Sequence, residues 1–437
     1  MVQGPRLTPS RSLDEHFGID ARVVAEQDES CWADHKRAVF SDKPPTVRDL
    51  LPDPLKIDPS RCLVDGVLGQ TLNIRTYLSL YKEALIALPD EQSYGEFLHS
   101  LGVTEDELVW LTTIGRVTLV LPQSLDRYDP SLINRVASDC PSGLLLSRRL
   151  ALATVADTRN RFPLAYPGLD AGSRISLLRG IEKNLQSASP AERPFAEALR
   201  NHLSAAWMEE ITSVSRGGAL ATAQHGAAPL IAEMLRIVHG RELWMELVNA
   251  GAAVEWAGAL RATLFPARTD RLSLQKSSEV VSAVYSGMPD SPAIDVNFGK
   301  ADTALRGILA IDNDASLRDF VSAMDGESVD RLRTIVRSIA EANLDDEFLQ
   351  NAIDTFNERV RTFERRDEKL RSLDLLTAAG VIVGAATHQP LIGLGGWALK
   401  YLVRNPQGGR IHDALNALAT WSPTDAILVS RIGKRLK

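Results

Sequence analysis

Residues 116–147, RVTLVLPQSLDRYDPSLINRVASDCPSGLLLS, carry the pattern that decides the fold of this chain. The run RVTLVLP at 116–122 is short, apolar and closed by a proline, which predicts a buried strand. Pro130 opens the run PSLINRVAS at 130–138, which has the apolar spacing of a helix. The run GLLLS at 143–147 predicts a second strand, and a helix follows it. Strand and helix in alternation predict a small α/β unit with parallel strands.

The residues upstream extend this unit. The run CLVDGVL at 62–68 predicts a short buried strand, and IRTYLSLYKEALIAL at 74–88 has apolar residues at helical spacing, which predicts a helix. Thr104 stands directly before EDELVWLTTI, and Glu107 follows three residues later. This spacing predicts a helix that begins with a capping box.

The chain has 437 residues, which is too long for one ordinary core and predicts two or three domains. We expect an extended or loosely packed arm over 1–58, a small α/β domain over 59–168 and a helical domain over 169–285. A C-terminal helical domain over 286–437 completes the prediction. The expected fold class is therefore mainly α with a small α/β N-terminal domain, several domains and a C-terminal helical hairpin.

Composition and charge exclude several classes of function. The net charge of −7 argues against a general nucleic-acid-binding protein, since such proteins need a concentrated positive surface. The three cysteines are widely spaced and predict neither a disulfide framework nor a CxxC metal site. Arginine outnumbers lysine 38 to 11, which is typical of GC-rich bacterial coding. We expect a cytoplasmic protein of a bacterium.

Residues 375–403, LLTAAGVIVGAATHQPLIGLGGWALKYLV, form an apolar stretch that has no Asp, Glu, Lys or Arg before Lys400. Gly380 and Gly384 form a GxxxG pair, and Trp397 and Tyr401 stand where interfacial aromatic residues are found in membrane segments. Pro390 interrupts the stretch, so each arm is too short to span a membrane alone. The stretch predicts a helical hairpin that is buried in the C-terminal core, packs on a partner or a second copy, or contacts the inner membrane conditionally.

Basic residues follow both strands of the pattern at 116–147. Arg127 follows the first strand, and Arg148 and Arg149 follow the second. Ligands of open parallel sheets bind outside the carboxyl ends of the strands. Guanidinium groups at this edge predict a site for an anionic small molecule, and surface salt bridges are the alternative interpretation.

Carboxylates are also expected at the ends of these elements. Asp65 ends the early strand, Glu107 lies on a helix and Asp126 follows the strand at 116–122. This order resembles that of small α/β nucleases of the PIN type, which gather carboxylates to bind Mg²⁺ or Mn²⁺. The resemblance implies a metal-dependent phosphodiesterase with these three residues as its catalytic set. Where such nucleases carry a further acid, this chain has Ser147, Arg148 and Arg149.

The sequence contains no complete catalytic motif. It has no GxxxxGK[ST] phosphate loop, no GxSxG elbow and no HExxH zinc signature. The leading hypothesis is therefore a non-enzymatic interaction or effector protein without a cofactor or metal, which acts through the hairpin at 375–403. A metal-dependent nuclease and a module that binds small anions are the two alternatives.

Overall fold

The computed structural model shows a mainly helical protein with a small parallel sheet of five strands in its N-terminal region, which confirms the coarse fold class predicted from the sequence. The chain divides into two compact units. The first unit comprises Met1–Ile74 and Glu83–Val296, and the second comprises Arg75–Lys82 and Asn297–Lys437. The structure describes residues 13–41, 43–56, 60–65, 71–161, 166, 179–183, 185–190, 193–204, 218–223, 226–240, 244–265 and 316–324.

The sheet of the first unit is entirely parallel. Its strand order is β4-β3-β2-β1-β5, so the chain adds strands in one direction and then returns to the other side of β1. The strands are β1 (Arg61–Asp65), β2 (Glu83–Ala87), β3 (Val117–Val120), β4 (Leu144–Leu145) and β5 (Thr263–Phe265).

Helices account for most of the remaining described residues. They are α1 (Leu13–His16), α2 (Ile19–His35), α3 (Val47–Leu50), α4 (Asp53–Lys56), α5 (Ile74–Leu80), α6 (Tyr94–Leu101), α7 (Glu105–Thr113), α8 (Pro130–Asp139), α9 (Ser147–Arg161), α10 (Arg193–Ser204), α11 (Gly218–Thr222), α12 (Ala227–His239), α13 (Trp244–Ala259) and α14 (Leu317–Ala323). Short 3₁₀ turns lie at Ala38–Phe40, Leu125–Arg127 and Pro141–Gly143.

Both faces of the sheet are covered. Every residue of β1, β2 and β3 is buried, as parallel sheets require because their two faces pack against other elements. Leu63 of β1 pairs in register with Leu85 of β2 on one side and with Leu264 of β5 on the other. The three side chains belong to one apolar cluster that also contains residues of α9 and α13.

Helix α2 packs against the elements that flank β4 along the chain, namely α8, α9 and the turn at Pro141–Gly143. The N-terminal arm therefore has a structural role in the first unit.

A buried ion pair joins the strands at their amino ends. Arg61, the first residue of β1, donates from Nε to Glu83 Oε2 over 3.1 Å, and its Nη2 lies 3.0 Å from the same oxygen. The Thr118 hydroxyl of β3 donates to Glu83 Oε1 over 2.8 Å. Arg61 Nη1 also donates to the carbonyl oxygens of Leu55 and Leu260, the second of which lies just before β5. One network therefore links β1, β2, β3 and the turn that leads into β5.

The predicted helix over 74–88 is wrong in its second half. The helix ends at Leu80, and residues Glu83–Ala87 form β2, a central strand of the sheet. The run Ala-Leu-Ile-Ala-Leu is apolar on every side and is closed by Pro89. Such a run fits a strand buried on both faces as well as it fits a helix, and tertiary pairing decides between them.

Two further predictions about organisation differ from the structure. Residues 263–265, predicted inside a helical domain, form β5 and belong to the same compact unit as the α/β region. The arm over 1–58 is not loosely packed in its described part, since Trp32, Phe40 and Leu50 are buried in the main apolar cluster. These core residues are far apart along the chain and are separated by polar stretches, so no helical or strand period marks them in the sequence.

Local predictions agree with the structure. The strands expected at 116–122 and 143–147 are present as β3 and β4, and α8 begins at Pro130. The capping box between Thr104 and Glu107 is formed at the start of α7. These features depend on contacts between residues close in sequence, which is why the sequence alone predicts them.

The described part of the second unit contains most of α5 and all of α14. Ser316 caps α14 by accepting a hydrogen bond from the Asp319 backbone amide over 3.1 Å. The Arg75 guanidinium lies 5.9 Å from the centre of the Phe320 ring, a cation–π distance. Both residues are buried. The contact between Arg75 and Phe320 joins the two described helices, α5 and α14.

The amino-edge ion pair gives a stability prediction. We expect Glu83→Ala to lower the free energy of unfolding by about 3–5 kcal/mol, because it leaves the buried positive charge of Arg61 without its neutralising carboxylate. Thr118→Val removes one hydrogen bond to the same carboxylate and should cost about 1–2 kcal/mol. Urea-induced unfolding measures both changes.

The exposed pair between Lys56 and Asp53 serves as the control, and Asp53→Ala should leave the unfolding midpoint unchanged. A Glu83→Ala protein as stable as the Asp53→Ala control contradicts the role given to the buried pair.

Candidate functional site

The strand order creates a topological switch point at the carboxyl edge of the sheet. Strands β2, β3 and β4 lie on one side of β1, and β5 lies on the other. Asp65 is the last residue of β1, and its neighbour Val64 pairs with Phe265 at the end of β5. The side chain of Asp65 therefore stands where the direction of winding reverses, and the residue is only 4% exposed.

The carboxyl edge above β2 and β3 is closed by contacts between the loops. The Glu91 amide donates to the carbonyl oxygen of Arg127 over 2.9 Å, which joins the loop after β2 to the loop after β3. The Gln123 amide donates to the hydroxyl oxygen of Tyr128 over 2.8 Å. Burial raises the pKa of the Tyr128 hydroxyl far above its usual range, so this group stays protonated. These hydrogen bonds fix the loops after β2 and β3.

The edge above β3 and β4 is covered by α11. The Leu220 amide donates to the carbonyl oxygen of Pro122 over 3.0 Å. Gly218 has a φ of +67°, and a Cβ atom there would lie 2.6 Å from Ser147 Oγ and 3.0 Å from the Pro122 oxygen. Only glycine allows this approach, because any side chain would meet the Pro122 backbone after β3 and the Ser147 side chain at the start of α9.

A buried carboxylate holds the start of α9. Asp28 of α2 accepts hydrogen bonds from the backbone amides of Arg148 and Arg149, each over 2.9 Å. Asp28 is 4% exposed. Burial raises the pKa of this carboxyl to about 6, because loss of water outweighs the two backbone hydrogen bonds and the charges of both arginines.

The Arg148 side chain packs against the same helix α2. Its Nε donates to Glu29 Oε2 over 2.9 Å, and its guanidinium carbon lies 5.9 Å from the centre of the Trp32 ring. The structure thus places Arg148 and Arg149, two of the predicted anion-binding residues, at the start of α9 beside acidic groups of α2. Arg127 lies in the 3₁₀ turn after β3, in a different loop.

The three carboxylates predicted as a catalytic set occupy separate elements. Asp65 ends β1, and Asp126 lies in the turn at Leu125–Arg127. The Glu107 carboxylate is engaged at the start of α7, where it accepts from the Thr104 amide over 2.8 Å and from the Thr104 hydroxyl over 3.0 Å. Within the described ranges, no group of three or more His, Cys, Asp or Glu side chains could hold a metal ion.

A second buried carboxylate lies at the start of α12. The Tyr166 hydroxyl donates to Glu255 Oε2 over 2.8 Å, and both residues are at most 1% exposed. Gly226 precedes α12, and a Cβ atom on it would lie 2.5 Å from Glu255 Oε1. Sequence analysis missed Asp28 and Glu255, because their hydrogen-bond partners lie far away along the chain, at Arg148 and Arg149 for Asp28 and at Tyr166 for Glu255.

The residues of the apolar hairpin lie outside the described part of the structure. These are the segment 375–403 and, within it, Gly380, Gly384, Pro390, Trp397 and Tyr401. Among the residues that are described, no helix has the length and apolar character needed to cross a membrane.

Comparisons of the chain with protein-family models, with curated proteins and with solved structures find no match. The function therefore has to be argued from the residues and their geometry.

The pKa of Asp28 gives a prediction with a definite sign. The folded value of about 6 lies above the unfolded value of about 3.9, so the native state takes up a proton between these limits. Wild-type protein should therefore gain about 1 kcal/mol of stability relative to Asp28→Asn when the pH falls from about 7 to 5. Urea-induced unfolding at the two pH values measures this difference.

Glu29→Gln is the matched control, since it alters the neighbouring carboxylate and leaves Asp28 in place. A wild-type protein that loses stability relative to Asp28→Asn on acidification contradicts a raised pKa.

Proposed function

We propose that the first unit binds a small polar molecule at the carboxyl end of β1. The Asp65 carboxylate would accept hydrogen bonds from hydroxyl or ammonium groups of the ligand. The observation that carries this proposal is the reversal of strand order between β1 and β5. In open parallel sheets, ligands bind in the crevice outside the carboxyl ends of the strands at such a reversal.

The neighbouring parts of the same edge support this choice of position. The contacts of Glu91 with Arg127 and of Leu220 with Pro122 close the edge above β2, β3 and β4.

A ligand screen tests the proposal. Nucleosides, sugars, polyols and amino acids are added to the full-length protein, and thermal unfolding is followed with and without Mn²⁺. A ligand at 100 times its Kd adds about 2.7 kcal/mol of stability. We expect a member of one class to raise the Tm of the wild type and of Asp126→Asn, and to leave Asp65→Asn unchanged.

Stabilisation that survives Asp65→Asn, or no stabilisation by any class, contradicts the proposal. Mn²⁺-dependent cleavage of a phosphodiester that is lost in both Asp65→Asn and Asp126→Asn favours the alternative, a metal-dependent phosphodiesterase. Asp126→Asn therefore separates the two functions, because only the second one needs that residue.

A second candidate function belongs to the hairpin at 375–403. Its 25 residues from Leu375 to Leu399 carry no formal charge, and basic residues stand on both sides of it. We propose that this segment packs on a protein partner or a second copy, or contacts the inner membrane under a trigger. In this account the chain is an interaction or effector protein, and it need not catalyse a reaction of the ligand at Asp65.

Flotation with vesicles that contain anionic lipid tests the second candidate. The full-length protein should float, and a chain that ends at Arg371 should remain with the soluble fraction. Gly384→Leu should reduce flotation, because a large side chain blocks close helix packing at the GxxxG pair. If neither chain floats and the shortened chain loses its cooperative thermal transition, the segment is part of the core.

A further inference from the structure

The first turn of α9 is occupied by an anion that comes from the protein itself. The two oxygens of the Asp28 carboxylate each accept one backbone amide, from Arg148 and from Arg149. Amides at the start of a helix that follows a parallel strand are a common binding site for the phosphate or carboxylate of a ligand. Helix α9 follows β4 directly, and it has 15 residues.

The same place holds donors that the arm does not satisfy. Within the described part of the chain, Trp32 Nε1 and Arg148 Nη1 are buried and have no hydrogen-bond partner. Trp32 is 2% exposed, and its ring lies beside the Arg148 guanidinium. Buried donors are nearly always paired, so these two donors favour a ligand with further acceptor oxygens beside Arg148. A phosphate has more acceptor oxygens than one carboxylate.

Helix α2, which supplies Asp28, is attached by few buried apolar side chains and by polar contacts at its start. Among the residues of α2, Ala21 and Trp32 are the buried apolar ones. The Gly18 amide donates to Asn134 Oδ1 over 2.8 Å, and Asn134 Nδ2 donates to the His16 carbonyl oxygen over 3.2 Å. Polar contacts exchange readily with water, so a helix held in this way can open locally at a lower free energy than the whole unit.

The far end of the arm is held differently. Val39 and Phe40, just after α2, are at most 2% exposed, and Arg159 of α9 donates to the carbonyl oxygens of Val39 and Ser41. The segment after α2 is therefore held to α9 by its own contacts, independently of Asp28.

We propose that the first turn of α9 is a binding site for an oxyanion, a phosphate or carboxylate of a small molecule, and that α2 closes this site with the Asp28 carboxylate. A ligand would replace Asp28 on the amides of Arg148 and Arg149 and would take the Arg148 guanidinium from Glu29. This site lies beyond β4 at the edge of the sheet and is separate from the one proposed at Asp65.

Titration with inorganic phosphate at constant ionic strength tests the proposal on the full-length protein. Asp28→Ala removes the internal anion, and Glu29→Gln is the matched control that leaves it in place. Saturable thermal stabilisation by phosphate should appear in Asp28→Ala with an apparent affinity at least about tenfold higher than in the wild type. The double variant Asp28→Ala with Arg148→Ala should lose it.

Absence of saturable phosphate binding in Asp28→Ala overturns the proposal, and so does equal binding by Asp28→Ala, Glu29→Gln and the wild type. If Asp28→Ala does not fold, Asp28→Ser replaces it, because serine leaves the amides with a smaller, neutral acceptor. A parallel titration with acetate shows which oxyanion the site prefers. Tighter binding of phosphate indicates a phosphate group of the ligand, and tighter binding of acetate indicates a carboxylate group. In the wild type, saturating phosphate should increase hydrogen exchange of residues 19–35, and unchanged exchange there contradicts displacement of α2.

Discussion

The buried pair between Arg61 and Glu83 is the interaction on which the sheet depends. The Arg61 side chain is 1% exposed, and its guanidinium bonds to the carboxylate of β2 and to two backbone carbonyl oxygens. Through Thr118 the same carboxylate also reaches β3. A charge buried in this way is stable only when its partners are all in place. The pair therefore favours one arrangement of β3, β2, β1 and β5 over other strand orders.

This network also divides the sheet into two edges with different roles. At the amino edge Arg61 and Glu83 bind each other, so these two charged groups are not available to a ligand. The carboxyl edge ends in Asp65 at the switch point and in the first turn of α9 beside β4. Buried carboxylates also lie at the starts of two helices. Asp28 accepts hydrogen bonds from the first amides of α9, and Glu255 lies beside Gly226, which precedes α12. Each is favoured there by the partial positive charge of a helix start.

The features that local contacts determine could be predicted from the sequence. The strands β3 and β4, the start of α8 and the capping box of Thr104 depend on residues within a few positions of each other. Strand β2 was missed because a wholly apolar run has no period that separates a buried strand from a helix. Strand β5 has three residues, and its pairing with β1 joins segments about 200 positions apart, which no local pattern reveals.

The candidate sites also combine residues that the sequence predicts with contacts between distant segments that it does not predict. Asp65 was predicted at a strand end, but its position at a reversal of winding depends on β5 and so could not be predicted. Arg148 and Arg149 were predicted to bind an anionic small molecule through their side chains. In the structure their backbone amides donate to the carboxylate of Asp28, about 120 positions away. The hydrogen bonds that define this site join α2 to α9, and only the folded chain brings these two helices together.

The placement of β5 beside β1 is the central claim, and methyl NMR tests it most directly. In protein labelled at leucine methyl groups, Leu63 should show NOEs to both Leu85 and Leu264, since it pairs with both in register. Leu85→Ile and Leu264→Ile assign the two signals. NOEs from Leu63 to both residues support a switch point at Asp65. An NOE to Leu85 without one to Leu264 would show that β5 does not lie beside β1, and the site proposed at Asp65 would then have no basis.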